Sequence, residues 1–352
     1  MELLEIPLEG NDQSLLQIYQ DVYAATPDRI PSAEELHWRY GGNPYPVRIW
    51  VGRDGEKIVG LRPIAIKDIK IGEAVYPALH MLNIMVHPAY QGKGLFRSLM
   101  EKAWNMHGQE GVIAFTFPNE NSIKAYRRWK DWFQLADLPL FIRMVPPKNF
   151  GETKSLVRFF AGYGAAAARC LRGIKPKAHE LTIQRVDEID DGIEALWQRN
   201  KRFFDFIIPR DKQYLTWRYV TRPDVQYMIY KAVADGATVG FLVARTRMMF
   251  DMHLGLIVDF FADNNDSTIL AGMLEQAVAD LIAQGVHAIG LQFIGPESLK
   301  EALWDNGLFA VPKKMLPREF LMYARSGLKK VEGIRLSDFQ RMFLTWGDND
   351  AV

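Results

Sequence analysis

The stretch that decides the fold is residues 86–96, which read VHPAYQGKGLF. An apolar run, Leu79 to Val86, is typical of a buried strand that ends here, and a helical pattern begins directly after the glycines, at Leu95. A strand that passes through glycines into a helix directs successive backbone N–H groups, and the positive end of the helix dipole, toward one point. The stretch therefore predicts an anion-binding turn.

Two glycines, Gly92 and Gly94, make this turn suitable for phosphate. A Cβ at either position would hold an anion away from the backbone and would penalise a positive φ angle. Each hydrogen bond from an N–H group to a charged oxygen contributes about 1.5–3 kcal/mol, so several converging donors hold a diphosphate without many basic side chains. Lys93 adds one point charge. The spacing matches neither the P-loop pattern nor the dinucleotide fingerprint, which disfavours nucleoside triphosphatases and dinucleotide enzymes.

Length and composition limit the class of protein. The chain has 352 residues, about two domains' worth, and 48% of them are hydrophobic, as in an ordinary soluble globular protein. The 43 Lys and Arg residues nearly balance the 42 Asp and Glu residues, which leaves no broad basic field for nucleic acid. Cys170 is the single cysteine, so an intrachain disulfide is excluded. The first ten residues do not resemble a signal peptide, and we expect a cytoplasmic protein.

An apolar segment near the middle of the chain joins the two expected domains. Leu156 to Leu171 contains two arginines and is shorter than the roughly 20 residues of a membrane span, so no integral membrane segment is expected. A helix packed between two domains is the favoured interpretation, and an interfacial amphipathic helix is the alternative. Prolines punctuate the chain on both sides. We therefore predict a first domain at 1–146, a connecting helical segment at 147–177 and a second domain at 178–352.

The two flanks of this connection resemble each other. Short matches recur in the same order with insertions of only a few residues, which indicates one fold present twice. The matched pairs are Trp38-Arg39-Tyr40 with Trp217-Arg218-Tyr219, Asp54-Gly55 with Asp235-Gly236, Val59-Gly60 with Val239-Gly240, Glu101, Ala103, Gly111 and Val112 with Glu275, Ala277, Gly285 and Val286, and Ser122 with Ser298.

Local signals predict the elements of one copy. Two helices come first, and the second opens with the capping box Ser32-x-x-Glu35. An antiparallel hairpin with the turn Asp54-Gly55 follows, and then strand, turn, helix, strand and helix. This order predicts an α/β fold in which a mixed, mostly antiparallel sheet is flanked by helices, in two tandem copies. The expected helices are 12–25, 32–40, 95–107 and 122–133, and the expected strands are 49–51, 58–61, 64–71, 79–86 and 112–117.

The turn, and the helix after the next strand, resemble two signatures of the GCN5-related N-acetyltransferase (GNAT) superfamily. Gln91 and Gly94 match the first and fourth positions of its motif A, Q/R-x-x-G-x-G/A, whereas the sixth position holds Phe96 in place of a small residue. Asn119-x-x-Ser122-x-x-x-Tyr126 is similar to the Asn-x-x-Ala/Ser-x-x-x-Tyr signature of the family. Trp132-Phe133 stands near the family's closing Gly-Phe, so the resemblance covers nearly the whole N-terminal half.

This resemblance implies acetyl-CoA, or another acyl-CoA, as the bound anion and an amine as the acceptor. The pyrophosphate would lie on the N–H groups of the turn and the pantetheine along the preceding strand, with no metal required. A small-molecule acceptor is expected because the sequence shows no long basic or acidic groove. The implied cofactor-binding residues are Ile84, Met85, Val86, Gln91, Gly92, Lys93, Gly94, Leu95, Phe96, Asn119 and Ser122.

The resemblance also implies catalytic roles. Tyr126 would protonate the departing thiolate, and a backbone N–H near Met85 and Val86 would bind the oxyanion. An alkylamine is mostly protonated at neutral pH, so a general base is needed, and His80 on the strand before the motif is the candidate. A packing role is the alternative for both side chains, and His87 is interpreted as a turn residue. The terminal carboxylate is another candidate base, on a tail that we expect to be polar and mobile.

The second copy is predicted to lack the coenzyme site. An offset of 174 places residues 265–270 against the turn residues 91–96, so both glycines are lost and Asp266 stands in place of Gly92. The charge of this aspartate would repel a diphosphate. The second signature is lost as well, with Gly295 and Ala302 at the corresponding positions. This copy is expected to wall the acceptor pocket or to mediate association into a homo-oligomer.

Two other functions share these motifs. An aminoacyl transferase also pairs two such folds, but the intact glycine turn and the near-neutral charge disfavour tRNA as a partner. A non-catalytic acyl-CoA-binding scaffold is the third candidate. The leading prediction is an acetyl-CoA-dependent N-acetyltransferase that acts on a small-molecule amine.

Overall fold

The computed structural model describes residues 1–145, 181–249, 251–316, 318–327 and 341–349, and the predicted connecting segment 147–177 lies outside these ranges. The helices are α1 Asp12–Val22, α2 Ala33–Tyr40, α3 Leu95–His107, α4 Ile123–Tyr126, α5 Asp191–Asn200, α6 Lys212–Leu215, α7 Ser267–Ala283 and α8 Glu297–Asp305. The strands are β1 Glu2–Ile6, β2 Val47–Asp54, β3 Lys57–Ile71, β4 Ala74–Met81, β5 Met85–Val86, β6 Ile113–Thr116, β7 Phe133–Asp137, β8 Leu140–Met144, β9 Thr182–Val186, β10 Phe206–Ile207, β11 Met228–Ala234, β12 Ala237–Met249, β13 Met252–Ala262, β14 Ala288–Ile294, β15 Phe309–Ala310, β16 Leu321–Ser326 and β17 Met342–Thr345.

The chain folds into two compact units, each assembled from more than one stretch of sequence. Unit 1 is formed by the described residues within Met1–Asp137, Thr221–Val225 and Leu321–Phe339. Unit 2 is formed by those within Leu138–Val220, Gln226–Phe320 and Gln340–Val352. Each predicted domain, 1–146 or 178–352, is one uninterrupted stretch of sequence. The prediction therefore does not include this exchange of segments.

The sheet of unit 1 is mixed. Strands β1, β2, β3 and β4 form consecutive antiparallel pairs, and β4 pairs in parallel with β6. Strand β16, from the far end of the sequence, lies between β6 and β7 and pairs antiparallel with both. One face of the sheet packs on α1 and α2 through Leu15, Ile18 and Leu36, and the other packs on α3 through Leu95 and Leu99. The sheet therefore has helices on both faces.

Two glycines set the distance between α3 and the sheet. Gly52 of β2 and Gly60 of β3 lie opposite each other in register. A Cβ on Gly52 would lie 2.9 Å from a Leu95 methyl, and one on Gly60 would lie 2.8 Å from a Leu99 methyl. These separations are too short for carbon atoms, so only glycine lets the first turns of α3 rest on the strands. The close approach fixes the helix whose N-terminus forms the anion-binding turn.

Unit 2 repeats this plan. Strands β9, β11, β12 and β13 form consecutive antiparallel pairs, and β13 pairs in parallel with β14. Strand β8, from the N-terminal half of the sequence, pairs with both β14 and β15. It corresponds to β16, which pairs with both β6 and β7 in unit 1. Gly240 also repeats the role of Gly60, since a Cβ there would lie 2.8 Å from Ile269 and Met273 of α7. The predicted fold class, a mixed sheet flanked by helices in two tandem copies, is confirmed.

Several local predictions need correction. Helix α3 has the predicted bounds, but the helix expected over 122–133 ends at Tyr126, and β7 begins at Phe133. The strand expected over 79–86 is divided into β4 and β5. The chain end is not a mobile tail throughout, because β17 and the 3-10 turn Trp346–Asp348 follow one another and the side chain of Asp348 is buried.

Candidate active site

The anion-binding turn has the geometry that its glycines require. Gly92 has a φ angle of +73° and Gly94 one of +81°, and no heavy atom lies within 4 Å of a Cβ built on either. Gly94 is the N-cap of α3 and has no side chain with which to cap it. The first N–H groups of a helix have no acceptor within the helix. The turn therefore offers open space beside backbone donors, which suits a phosphate ligand.

The strand before the turn separates from its neighbour. The ladder between β4 and β6 ends at the pair His80–Phe115, and β5 pairs with β3. His87 N–H donates to Val59 O at 2.9 Å. Successive residues of an antiparallel strand face their partner and then face away from it, so Val86 N–H points away from β3, on the edge where β6 has diverged. Val86 N–H is therefore one of the backbone donors that fit the predicted oxyanion role.

The side chains of the turn link it to the strands. Gln91 Nε2 donates to Val86 O at 3.2 Å, which closes the turn over the end of β5. The ammonium group of Lys93 lies 5.1 Å from the centroid of the Tyr90 ring, and the hydroxyl of Tyr90 donates to Asp54 Oδ2 at 2.5 Å. This hydrogen bond to a carboxylate raises the pKa of Tyr90. At the rim of the turn, the Lys93 cation therefore lies over the uncharged ring of Tyr90.

The predicted strand residues divide between the two faces of the sheet. Met85 is buried among the residues that contact α1 and α2, whereas Ile84 and Val86 are half-buried on the face of α3. Phe96, the residue that departs from motif A, lies on the face of α3. Its ring centroid is 5.5 Å from that of Trp129. The large side chain is accommodated by an aromatic cluster and leaves the backbone of the turn open.

Asn119 and Ser122, predicted to bind the coenzyme, are hydrogen-bonded to each other in the turn before the next helix. Asn119 Oδ1 accepts hydrogen bonds from the N–H groups of Asn121 and Ser122, both at 3.0 Å. In return, Ser122 Oγ accepts from Asn119 N–H at 3.1 Å. These bonds order the turn that leads into α4 at Ile123. Both residues lie near the surface, and their role in coenzyme binding stays a prediction.

Tyr126 lies inside unit 1. Its side chain is 1% exposed, and its hydroxyl lies 3.8 Å from the sulfur of Met100 on α3. This position favours a packing role, and the predicted role as general acid requires the hydroxyl to reach the cleft. The rings within 6.4 Å, between centroids, are those of Phe96, Trp129, Trp132 and Tyr323.

His80 is also buried. It is 3% exposed at the last pair of the β4 and β6 ladder, directly before the strands separate. Its ring stacks on Phe115 with centroids 4.5 Å apart, and Phe117 meets it edge-on at 6.1 Å. The ring therefore lies between two aromatic side chains, directly before the point where β4 and β6 separate. Its role as general base stays a prediction.

A charged cluster forms around Glu35 of α2, where the sequence predicts a solvent-exposed helix face. Glu35, expected in a capping box, pairs with Arg39 and lies 3.7 Å from the guanidinium of Arg222, which stacks on Trp38 at 5.0 Å. Burial, the hydrogen bond to Glu35 and the charge of Glu35 raise the pKa of Asp224 to about 6. No local sequence pattern indicated the contacts of Glu35 with Arg222 and Asp224, because residues 221–225 lie far from α2 in the sequence.

Unit 2 has a different structure where unit 1 has its cleft. The ladder between β13 and β14 ends at Ile257–Leu291, and β17 then pairs with β14 through Thr345 and Leu344. Arg210, fully buried, lies 3.1 Å from Asp259 and 2.8 Å from Asp348. The chain's own strand and a buried ion network thus occupy the divergence of β13 and β14.

The turn of unit 2 also lacks the anion-binding geometry. Asn264 and Asn265 take the positive φ angles, both 53°, and the side chain of Asp266 accepts from Thr268 N–H at 2.7 Å. A carboxylate therefore caps α7 at the place where Gly94 leaves α3 uncapped.

Two further properties concern membranes and metals. None of the helices in the described ranges is both long and apolar enough to cross a membrane. Across the same ranges, no three His, Cys, Asp or Glu side chains come together in a group that could hold a metal ion.

A mixed sheet with helices on both faces, and a glycine turn where a parallel strand pair separates, define the class of GNAT-type acyltransferase folds. Residues 9–132 match the family model described as an acetyltransferase (GNAT) domain. This match identifies a GNAT-type domain at residues 9–132, and the tandem fold of the chain is similar to that of solved GNAT structures.

Solved structures share the fold at low sequence identity. A GCN5-related N-acetyltransferase from Anabaena variabilis is 13% identical, with a TM-score of 0.63 over 92% of this chain and 73% of that chain. An N-myristoyltransferase from Saccharomyces cerevisiae with bound myristoyl-CoA is 13% identical, with a TM-score of 0.61 over 94% and 79%. A tandem GNAT protein from the clavulanic acid biosynthesis pathway is 13% identical, with a TM-score of 0.57 over 92% and 98%. No curated protein matches the chain in sequence.

Proposed function

We propose that the chain is a cytoplasmic, acyl-CoA-dependent N-acyltransferase that transfers an acetyl group from acetyl-CoA to an amine of a small molecule. The observation that carries the proposal is the open turn of unit 1, where two glycines with positive φ angles precede the uncapped N-terminus of α3. The donors of this turn fit the pyrophosphate of the coenzyme. The diverging strands fit an extended pantetheine arm beside Val86.

The coenzyme supplies an acyl thioester. The amine forms a C–N bond to the acyl carbon, the C–S bond breaks, the amine loses one proton and the thiolate gains one. Val86 N–H, directed into the divergence, is suited to donate to the carbonyl oxygen as negative charge develops there. We propose Tyr126 as the proton donor to the thiolate and His80 as the base, directly or through water. Unit 2, with β17 in the corresponding position, binds no second coenzyme and serves the acceptor side or self-association.

The test is coenzyme binding with a matched pair of glycine variants. Acetyl-CoA at 100 times its Kd is expected to stabilise the native chain by about 2.7 kcal/mol, and calorimetry should give one site per chain. Gly94→Asp is expected to abolish the thermal shift, because a carboxylate enters the phosphate position. Gly72→Asp is the control, since Gly72 has a φ angle of +58° and equally open surroundings in the turn after β3. Absence of a shift with every acyl-CoA would overturn the proposal.

The non-catalytic alternative is favoured by one observation, the burial of both Tyr126 and His80. A protein that binds acyl-CoA but acetylates none of a broad panel of amines, followed by mass spectrometry, would support that alternative. Transfer to any small amine at a rate that Gly94→Asp abolishes would exclude it.

A further inference from the structure

We propose that His87 is a positioning residue of the coenzyme turn, because the unprotonated Nδ1 of its ring caps the 3-10 turn that leads into Gly92 and Gly94. This inference rests on the proposed function. His87 Nδ1 accepts a hydrogen bond from Ala89 N–H at 3.1 Å, and His87 is the N-cap of the turn Pro88–Tyr90. The chain reaches the first of the two glycines two residues after that turn ends.

The bond from Ala89 N–H sets the tautomer of the ring. An N–H group donates only to a nitrogen with a free lone pair, so this bond requires an unprotonated Nδ1 and leaves the hydrogen on Nε2. Nε2 and the Lys57 ammonium are then both donors that face Asp21 Oδ2, at 3.4 Å and 2.9 Å, and the 3.1 Å between Nε2 and Lys57 Nζ is not a hydrogen bond. The hydrogen bond from Lys57 lowers the pKa of Asp21, so this carboxylate stays ionised.

The ring thereby joins three elements at the turn. Asp21 comes from α1, Lys57 from the start of β3, and the edge of the His87 ring meets Tyr90 at 5.6 Å between centroids. Asp21, Lys57 and Tyr90 are the titratable groups that face the ring, with Asp54 behind the Tyr90 hydroxyl. Removal of the Nδ1 acceptor would leave Ala89 N–H without its bond and the turn uncapped. Coenzyme affinity should therefore depend on this one side chain.

The experiment compares His87→Ala, which removes the cap, with His87→Asn, whose side-chain oxygen also caps a turn. His253→Asn in unit 2 is the control for the substitution itself. Acetyl-CoA binding is measured by calorimetry. Amide hydrogen exchange of residues 89–96 is measured without ligand.

At about pH 8, His87→Ala is expected to weaken acetyl-CoA binding about 3- to 30-fold, the usual effect of a lost N-cap, and His87→Asn by less than about twofold. The amides of the turn should exchange faster in His87→Ala alone.

Two results overturn the inference. Native-like binding and exchange in His87→Ala would show that the cap is dispensable. Equal losses in both variants would assign the effect to the contacts of Nε2. If the native chain binds no acyl-CoA, the proposed function fails, and the exchange measurement then decides the capping role alone.

Discussion

The hydroxyl group of Tyr126 is needed for a catalytic role but not for a packing role. Its removal therefore distinguishes the two roles. Tyr126→Phe keeps the ring among its aromatic neighbours and removes only the contact with Met100. If the hydroxyl protonates the thiolate, kcat should fall by about 100-fold or more, with KM for acetyl-CoA and the melting temperature nearly unchanged. Steady-state kinetics with thermal denaturation checks this, and an unchanged kcat would assign Tyr126 to the core.

The carboxyl of Asp224 should make stability depend on pH. Its pKa is raised from 3.8 to about 6 by burial and by Glu35, so its stabilising contribution is fully present below about pH 3.8 and is lost as the pH rises through about 6. Glu35 acts in the opposite direction: burial favours a higher pKa, but Arg39, Asp224 and Arg222 lower it, and the resulting stability is lost on acidification. Asp224 is only partly desolvated and much of it is exposed, so solvent screening limits its effect to below about 1 kcal/mol.

We therefore expect Asp224→Asn to become more stable relative to the native chain as the pH rises from about 4 to about 7. Urea unfolding at several pH values measures this difference. Asp187→Asn, an exposed aspartate in unit 2, is the control. A constant difference between Asp224→Asn and the native chain across the range would contradict the assigned pairing with Glu35.

At the scale of elements, the packing of strand β17 should depend on the buried guanidinium group of Arg210. Arg210 donates to Asp259 and Asp348 and contacts Thr345 Oγ1 at 3.1 Å, all without exposure to solvent. Arg210→Met leaves two buried carboxylates without their counterion, and we expect the free energy of unfolding to fall by about 3–5 kcal/mol. Arg341→Met, which breaks the exposed pair with Asp205, should cost less than about 1 kcal/mol. Equal losses in denaturant titrations would contradict this account.

The elements that could be predicted from sequence are those specified by local signals. Helix α3 has a glycine start and a regular apolar face, and its predicted bounds are correct. Helix α4 was predicted too long because Trp129 and Trp132 continue the apolar pattern, although they pack as part of an aromatic cluster around Tyr126. Apolar spacing alone does not distinguish these cases.

The exchange of strands could not be predicted, because pairing between distant segments leaves no local pattern. Leu140–Met144 and Leu321–Ser326 are ordinary short apolar strands, and nothing in either segment specifies its partner. The same limit applies to the candidate site. The glycine turn was recognised because a short motif specifies its backbone, whereas the burial of Tyr126 depends partly on Tyr323, which β16 brings to unit 1.

At the scale of the whole molecule, this exchange predicts that the chain stays assembled after it is cut. Each unit contains one strand from the other half of the sequence, β16 between β6 and β7, and β8 between β14 and β15. A protease site inserted within 147–177 and cleaved should give two fragments that elute together and separate only in denaturant. Size-exclusion chromatography with mass spectrometry measures this.

The N-terminal half alone should not fold, because it lacks one strand of unit 1. A fragment of residues 1–146 lacks β16, so β6 and β7 lose the strand that joins them and expose unpaired backbone edges. We expect this fragment to be unfolded or aggregated, and its circular dichroism and elution volume would show it. Adding the 178–352 fragment during refolding should restore a soluble complex that binds acetyl-CoA. A monomeric 1–146 fragment with a cooperative thermal transition at the native temperature would contradict the structural role of the exchanged strand.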